Sequence, residues 1–276
     1  MSRTDVCPRC NRMTIRLAYV RVLHYDCNCN YLSGPIRISE GGRPAAQQRG
    51  RRGHGGRALV HAFLSGSYVM RLLNIVSSPR GARSASIAVA NAFVDAFRET
   101  GATIDVDTLN VWEEDLPEFG SDAIGAKYKG VANAPMDDAE RSVWRRIQAL
   151  VKRFQEADRI VVGVPMWNFG YPYKLKQLID LVSQRNMLFT FDGNAYAPLL
   201  DIPRALVIHV RGQSREAGAG ADNPGFRHQA DYIEFWLRFI GVSEVESLTV
   251  EHTWGARASD SIEQARARAV AMAAAF

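Results

Sequence analysis

Residues 159–172 read Arg-Ile-Val-Val-Gly-Val-Pro-Met-Trp-Asn-Phe-Gly-Tyr-Pro, and the two halves of this stretch decide the fold. The first six residues form a continuous, largely β-branched run without polar alternation, as expected of a strand covered on both faces. Strands of that kind belong to parallel sheets flanked by helices, where the loops at the carboxyl ends of the strands face the ligand crevice. The second half crowds Met166, Trp167, Asn168, Phe169 and Tyr171 into such a loop. A planar aromatic ligand would be held there by stacking and backbone hydrogen bonds. The competing role for Trp167 and Phe169 is to cap the core beneath the loop; the density of aromatic residues favours the ligand.

Working outward, residues 71–77 (RLLNIVS) form a second buried run. A helix follows over 84–100, with Ile87, Ala90, Val94 and Phe97 at helical spacing and Gly101 as its stop. Residues 103–109 (TIDVDTL) alternate as a strand, and a long loop with Trp112, Pro117 and Gly120 comes next. Asp137 and Glu140 then have the spacing of a capping box, opening a helix whose apolar face is Val143, Ile147, Leu150, Val151 and Phe154. Downstream, 174–183 reads as helix, 204–210 (RALVIHV) as strand, 226–240 as an amphipathic helix ending at Gly241, and 247–250 as strand. Asp260 and Glu263 have the spacing to cap a final Ala-rich helix. Strand and helix thus alternate five times, which predicts an α/β doubly wound five-stranded parallel sheet. Its ligand loops start at Ser77, Pro165 and Arg211.

The loop after the first strand runs Ser77-Ser78-Pro79-Arg80-Gly81-Ala82-Arg83-Ser84-Ala85-Ser86 into a helix. Free N–H groups at a helix start, hydroxyls of Ser78, Ser84 and Ser86, and two arginines make a site for a phosphate dianion. A purely structural role fits equally, with Ser84 as N-cap and Ser78-Pro79 in a turn. Neither G-x-G-x-x-G nor G-x-x-x-x-G-K-[ST] is present, so the dinucleotide fingerprint and the nucleoside-triphosphate loop are excluded.

The Ser-Ser strand end, the Ser84-x-Ser86 pair, and the run PMWNFG followed by YPYKLKQLIDLVSQRNMLFTF resemble the FMN-dependent NADH:quinone oxidoreductases, also called FMN-dependent azoreductases, of the flavodoxin-like fold. The resemblance covers residues 70–276. It implies that Ser78, Ser84, Ala85 and Ser86 hold the FMN phosphate and that Met166, Trp167, Asn168 and Phe169 pack on and hydrogen-bond the isoalloxazine. The family's third flavin loop, Ser-Arg-Gly-Gly, stands here as Val210-Arg211-Gly212-Gln213: Val210 supplies no hydroxyl, Gln213 is bulkier than glycine, and contacts to the flavin's pyrimidine edge change accordingly. Phe191 and Phe239 match aromatic positions that line the family's substrate pocket, to which a partner subunit contributes; core packing is the alternative for both. The resemblance further implies a homodimer in which NADH reduces FMN, leaves, and is replaced by a quinone or azo compound, a ping-pong scheme. Backbone N–H groups around Gly212 would stabilise negative charge on the reduced ring. An NADPH-preferring reductase and a flavodoxin-like electron carrier without small-molecule turnover are the neighbouring alternatives.

No protein nucleophile is called for. His209, within an apolar strand, reads as a core histidine, and His228 and His252 lack metal-ligand spacing with each other, so no metal is expected.

The first 69 residues differ in kind. They carry 11 Arg, no Lys, 3 acidic residues and all 4 cysteines, whereas the chain as a whole has a net charge of only +5. The remaining 207 residues are therefore slightly acidic and cysteine-free. Residues 33–57, rich in Gly and Arg, have too little apolar surface to offset chain entropy, and disorder is expected there. Cys7, Cys10, Cys27 and Cys29 offer four thiolates, but C-x₂-C followed by C-x-C is a loose zinc pattern. The arginines lack interleaved aromatics, which disfavours nucleic-acid binding. Residues 1–69 are thus expected to be an appendage, with Met70 the functional start. The lack of later cysteines fits a cytoplasmic setting, and no run approaches the roughly 20 apolar residues of a membrane span.

Overall fold

The computed structural model describes residues 69–214 and 225–276. The expectations about disorder and the four-cysteine site fall on residues 1–68 and lie outside the described residues. In chain order the elements are β1 (Met70–Val76), α1 (Ala85–Arg98), β2 (Ile104–Asn110), α2 (Ser121–Ala132), α3 (Asp138–Gln155), β3 (Arg159–Pro165), α4 (Tyr173–Val182), β4 (Phe189–Phe191), β5 (Tyr196–Pro198), β6 (Ile202–Val210), α5 (Gly225–Ile240), β7 (Val242–Val250) and α6 (Ala258–Ala273).

Five strands make one parallel sheet in the order β2-β1-β3-β6-β7. The chain places β2 on one side of β1 and β3 on the other, so the winding direction reverses between β1 and β3. Alternate residues of the central strands serve opposite layers. Leu73, Ile75, Ile160, Val162, Val164, Ala205 and Val207 join a core built with α3, α4 and α5. Leu72, Val161, Leu206, Ile208 and Val210 join a second core with α1 and α6. That second layer is closed by the chain's last residue: the Phe276 ring meets Phe93 edge-on at 4.9 Å and Phe97 at 5.6 Å. A fully buried side chain of this size stabilises by roughly 1.5–3 kcal/mol.

Three local features depart from the sequence reading. The long loop after β2 contains α2, whose buried residues are only Ala123 and Ala126 and whose two glycines weaken any helical signal. Glu140 anchors it, completing the expected capping box with Asp137 and taking an ion pair from Lys129 at 2.6 Å. The final helix starts at Ala258 with Arg257 at the N-cap, so the Asp260–Glu263 cap does not form there; a turn through Gly255 begins the helix three residues earlier. Strand β7 starts five residues ahead of expectation, because its polar first half pairs outward with Arg204, through Glu244 at 2.9 Å and Glu246 at 3.7 Å.

Between α4 and β6 a short antiparallel hairpin, β4-β5, sits at the amino edge of the sheet. Gln155, the last residue of α3, donates to the Met187 carbonyl at 3.1 Å, and Leu200 N–H bonds the Ile240 carbonyl at the end of α5. Both elements end where the next strand begins, which fixes the hairpin at that edge.

Candidate functional site

At the carboxyl edge the three expected loops converge on β1, β3 and β6. Ser77 donates its hydroxyl to the Gly163 carbonyl at 2.6 Å, locking the exit of β1 to β3. At Gly163 α1 lies close against the sheet: a Cβ there would be 3.2 Å from Ser86 Cβ and 3.4 Å from the Ser86 carbonyl. The absent side chain thus lets the start of α1 settle beside β3. Ser78, Ser84, Ala85 and Ser86 are all buried. The Ser84 and Ser86 hydroxyls lie 3.1 Å apart, and Ser84 also accepts from Ile87 N–H at 3.5 Å, a long N-cap contact. Ser78 Oγ accepts from Arg80 N–H at 3.4 Å. The structural role is seen directly: Ser84 caps the helix, and it faces a second hydroxyl at the helix start, where N–H groups favour an anion.

The aromatic loop after β3 is a tight two-residue turn. Trp167 N–H bonds Gly170 O at 3.0 Å and Gly170 N–H bonds Trp167 O at 2.9 Å. Asn168 (φ 49°) and Phe169 (φ 66°) occupy the left-handed region between them. Asparagine adopts this conformation readily, whereas phenylalanine does so at a cost of about 1–2 kcal/mol. Strain of this size is tolerated where a side chain must be presented, and here Asn168 is exposed and Phe169 is 45% exposed. Met166 and Trp167 are half-buried at the base. Met166 N–H reaches the Val210 carbonyl at 2.7 Å, tying this turn to the third loop. Trp112 joins the first loop to the second: its indole N–H bonds Ser77 O at 2.9 Å, and its ring lies 5.8 Å from Trp167 and edge-on to Tyr173 at 5.4 Å. Its position in the long loop after β2 carries no sequence signal for this role. Behind the turn, Tyr171 stacks on Tyr232 at 5.0 Å; burial and the Tyr232 hydroxyl raise its phenol pKa well above the usual tyrosine value.

In the third loop Val210 turns into the α1/α6 core and Gln213 is exposed. Arg211 is buried, 3.3 Å from Gln229 Oε1 and 3.3 Å from Glu251 Oε1. Gln229 itself is fully buried and donates to Val164 O at 2.6 Å, so one amide links α5, β3 and this arginine. Nothing in the sequence pattern singled out Gln229, since a glutamine in an amphipathic helix carries no periodic signal.

Phe191 and Phe239 do not join these loops within one chain. Phe191 lies on the amino-edge hairpin and Phe239 at the far end of α5, where both meet Tyr196, at 4.6 Å and 5.9 Å. Helix α5 explains the separation: Gln229 touches the site, and ten residues at about 1.5 Å each carry Phe239 roughly 15 Å down the helix. His209 is buried on β6, as expected of a core histidine, with its Nε2 3.4 Å from Glu234 but neither ring nitrogen making a hydrogen bond to a described residue.

A family model described as flavodoxin-like fold matches residues 70–273. The chain is 91% identical over 207 residues to FMN-dependent NADH:quinone oxidoreductase 2 of Burkholderia lata, covering 75% of this chain and 100% of that protein. It is 42% identical over 184 residues to FMN-dependent NADH:quinone oxidoreductase 3 of Pseudomonas fluorescens, covering 66% and 85%. In fold it is similar to the crystal structure of an azoreductase from Bacillus anthracis, with a TM-score of 0.68 and 22% identity over 75% of this chain and 100% of that one. With its 2-1-3-6-7 sheet and the three loops at its carboxyl edge, the chain belongs to the FMN-dependent NADH:quinone oxidoreductase family of the flavodoxin-like fold.

Proposed function

We propose that the chain is an FMN-dependent oxidoreductase that moves two electrons from NADH to quinones and azo compounds. The observation that carries this reading is the meeting of a hydroxyl-lined helix start and a strained aromatic turn on neighbouring strands, at the point where the winding reverses. The donor set fits FMN: Ser78, Ser84, Ser86 and the N–H groups of α1 are donors for a phosphate dianion, with Arg80 and Arg83 adjacent. The Met166–Phe169 turn offers an aromatic surface and the exposed Asn168 amide to a flat ring. When bound, FMN supplies the hydride-accepting and electron-donating ring.

The chain's own contribution is positional. Ser77, through its hydroxyl bond to Gly163, and Met166, through its N–H bond to Val210, hold the phosphate loop, the aromatic turn and the third loop in register, which restricts where a ring can lie. Arg211, held between Gln229 and Glu251, places positive charge beneath the third loop, where Gly212 N–H can stabilise developing negative charge. Trp112, Trp167 and Tyr173 form an aromatic cluster that lines one side of the site.

The functional unit is assigned to a homodimer. Phe169, Tyr173 and Trp254 are exposed at the carboxyl edge, and Tyr196, Leu199 and Phe235 on the hairpin side. A two-fold pairing lets each patch cover the other twice, bringing Phe191 and Phe239 of one chain to the flavin loops of its partner. Residues 70–276 are assigned as the working unit and 1–69 as an appendage, which accords with the span of the family match. No helix among the described residues is long and apolar enough to cross a membrane, and the cysteine-free working unit suits the cytoplasm.

Steady-state kinetics with NADH and a quinone test the alternating use of one site. Parallel double-reciprocal lines are expected; intersecting lines would require both substrates to bind together. The same assay with NADPH in place of NADH tests the nicotinamide preference.

A further inference from the structure

Among the described residues of the third loop, Val210 is turned into the core, Arg211 is tied to Gln229 and Glu251, Gly212 has no side chain, and Gln213 is exposed. A further aromatic surface comes from the loop after β7. Trp254, after β7, lies on Gly212 so closely that a Cβ at 212 would be 2.6 Å from Trp254 Cδ2, 2.7 Å from Cε2 and 2.9 Å from Cε3. The same indole is 68% exposed.

Exposed aromatics are commonplace, but the backbone that carries this one is pinned to the third loop. Thr253 donates to the Arg211 carbonyl twice, from its N–H at 3.2 Å and its hydroxyl at 2.9 Å, and Arg211 N–H returns a bond to Val250 O at 2.8 Å. Glu251 adds the contact to the Arg211 guanidinium. His252, in the left-handed region at φ 56°, bends the loop so that Trp254 folds back over Gly212, and Arg257 bonds the His252 ring at 3.2 Å. A large aromatic lying on a glycine platform beside Arg211, on a loop pinned by these bonds, presents an exposed face to a planar partner.

We propose that Trp254 is a cofactor-binding residue, packing against FMN at the third loop, and that Gly212 is a glycine because the indole occupies the space of a side chain. The proposal rests on the FMN reading and extends it to a loop outside the three flavin loops.

The test uses the full-length protein stripped of flavin, with FMN titrated and read by flavin fluorescence. Trp254→Ala should weaken FMN binding by about three- to tenfold, the range set by aromatic contact energies, while Trp254→Phe should retain most of the affinity. Gly212→Ala should resemble Trp254→Ala, because the methyl group displaces the indole. As an independent readout, FMN should quench a larger share of tryptophan fluorescence in the unmodified protein than in Trp254→Phe. Equal FMN affinity and equal fractional quenching in the unmodified protein and the Trp254 variants would overturn the proposal. Failure of the unmodified protein to bind FMN at all would instead overturn the cofactor reading beneath it.

Discussion

Replacing Ser84 and Ser86 together with alanine tests the phosphate site most sharply. Both hydroxyls are buried, stand 3.1 Å apart and sit at the start of a 14-residue helix, so a phosphate placed there accepts from both. Hydrogen bonds to a charged group contribute about 1.5–3 kcal/mol each. Two of them give roughly 3–6 kcal/mol if additive, and neighbouring groups fall short of additivity, so a loss of about two to three orders of magnitude in FMN affinity is expected. The helix suffers much less: the cap bond from Ile87 is long at 3.5 Å, which puts the N-cap loss near the low end of about 0.5–2 kcal/mol. A Ser84→Gly companion keeps the helix start nearly intact while removing its hydroxyl. The assay compares FMN with riboflavin, which has the same ring and no phosphate. The double variant should lose most of the preference for FMN while binding riboflavin as before. If FMN and riboflavin weaken by the same factor, the hydroxyls support the loop and do not hold a phosphate.

Three further outcomes follow from other parts of the molecule. Glu140→Ala removes half of a capping box and leaves Lys129 without its 2.6 Å partner, so denaturant unfolding should show a loss of about 2–3 kcal/mol; an unchanged midpoint contradicts the anchoring of α2 by this carboxylate. The His209 ring, then the Ser247 hydroxyl and Arg238, hold the Glu234 carboxyl down to about 2 from an ordinary 4.5. A depressed carboxylate contributes stability that is present above pH 4.5 and lost as pH falls towards 2; Glu234→Gln should remove about 1–2 kcal/mol of that acid-side dependence after allowing for its partial exposure, and an identical stability–pH slope sinks the pairing. If the hairpin acts across a dimer, mixing Ser84→Ala/Ser86→Ala chains with Phe191→Ala/Phe239→Ala chains should restore turnover above either parent, because one site of the mixed dimer is intact; mixtures no better than the parents remove the trans assignment.

How much of this was readable beforehand depends on how local the determining forces are. Strands β1 and β3 were legible because burial on both faces leaves an unbroken apolar run, and the Asp137–Glu140 box because a cap is written within four residues. Helix α2 was not, since its stability comes from Glu140 and from packing on α3 rather than from its own apolar stripe. The Ser84–Ser86 and Met166–Phe169 loops were legible as candidates, yet the hydroxyl pair and the left-handed turn needed coordinates. Trp254 and Gln229 were missed because their roles arise between elements far apart in sequence; a tryptophan followed by glycine after the last strand was the one available hint. The separation of Phe191 and Phe239 from the flavin loops is likewise topological, set by the downward course of α4 and α5.

The visible absorption spectrum of the purified full-length protein, recorded before and after anaerobic addition of NADH, tests the central claim most directly. A yellow protein is expected, or one that becomes yellow with one added FMN per chain, whose flavin band bleaches on NADH and returns on adding a quinone. A colourless protein that takes up no added FMN, or a bound flavin that neither NADH nor NADPH reduces, contradicts it.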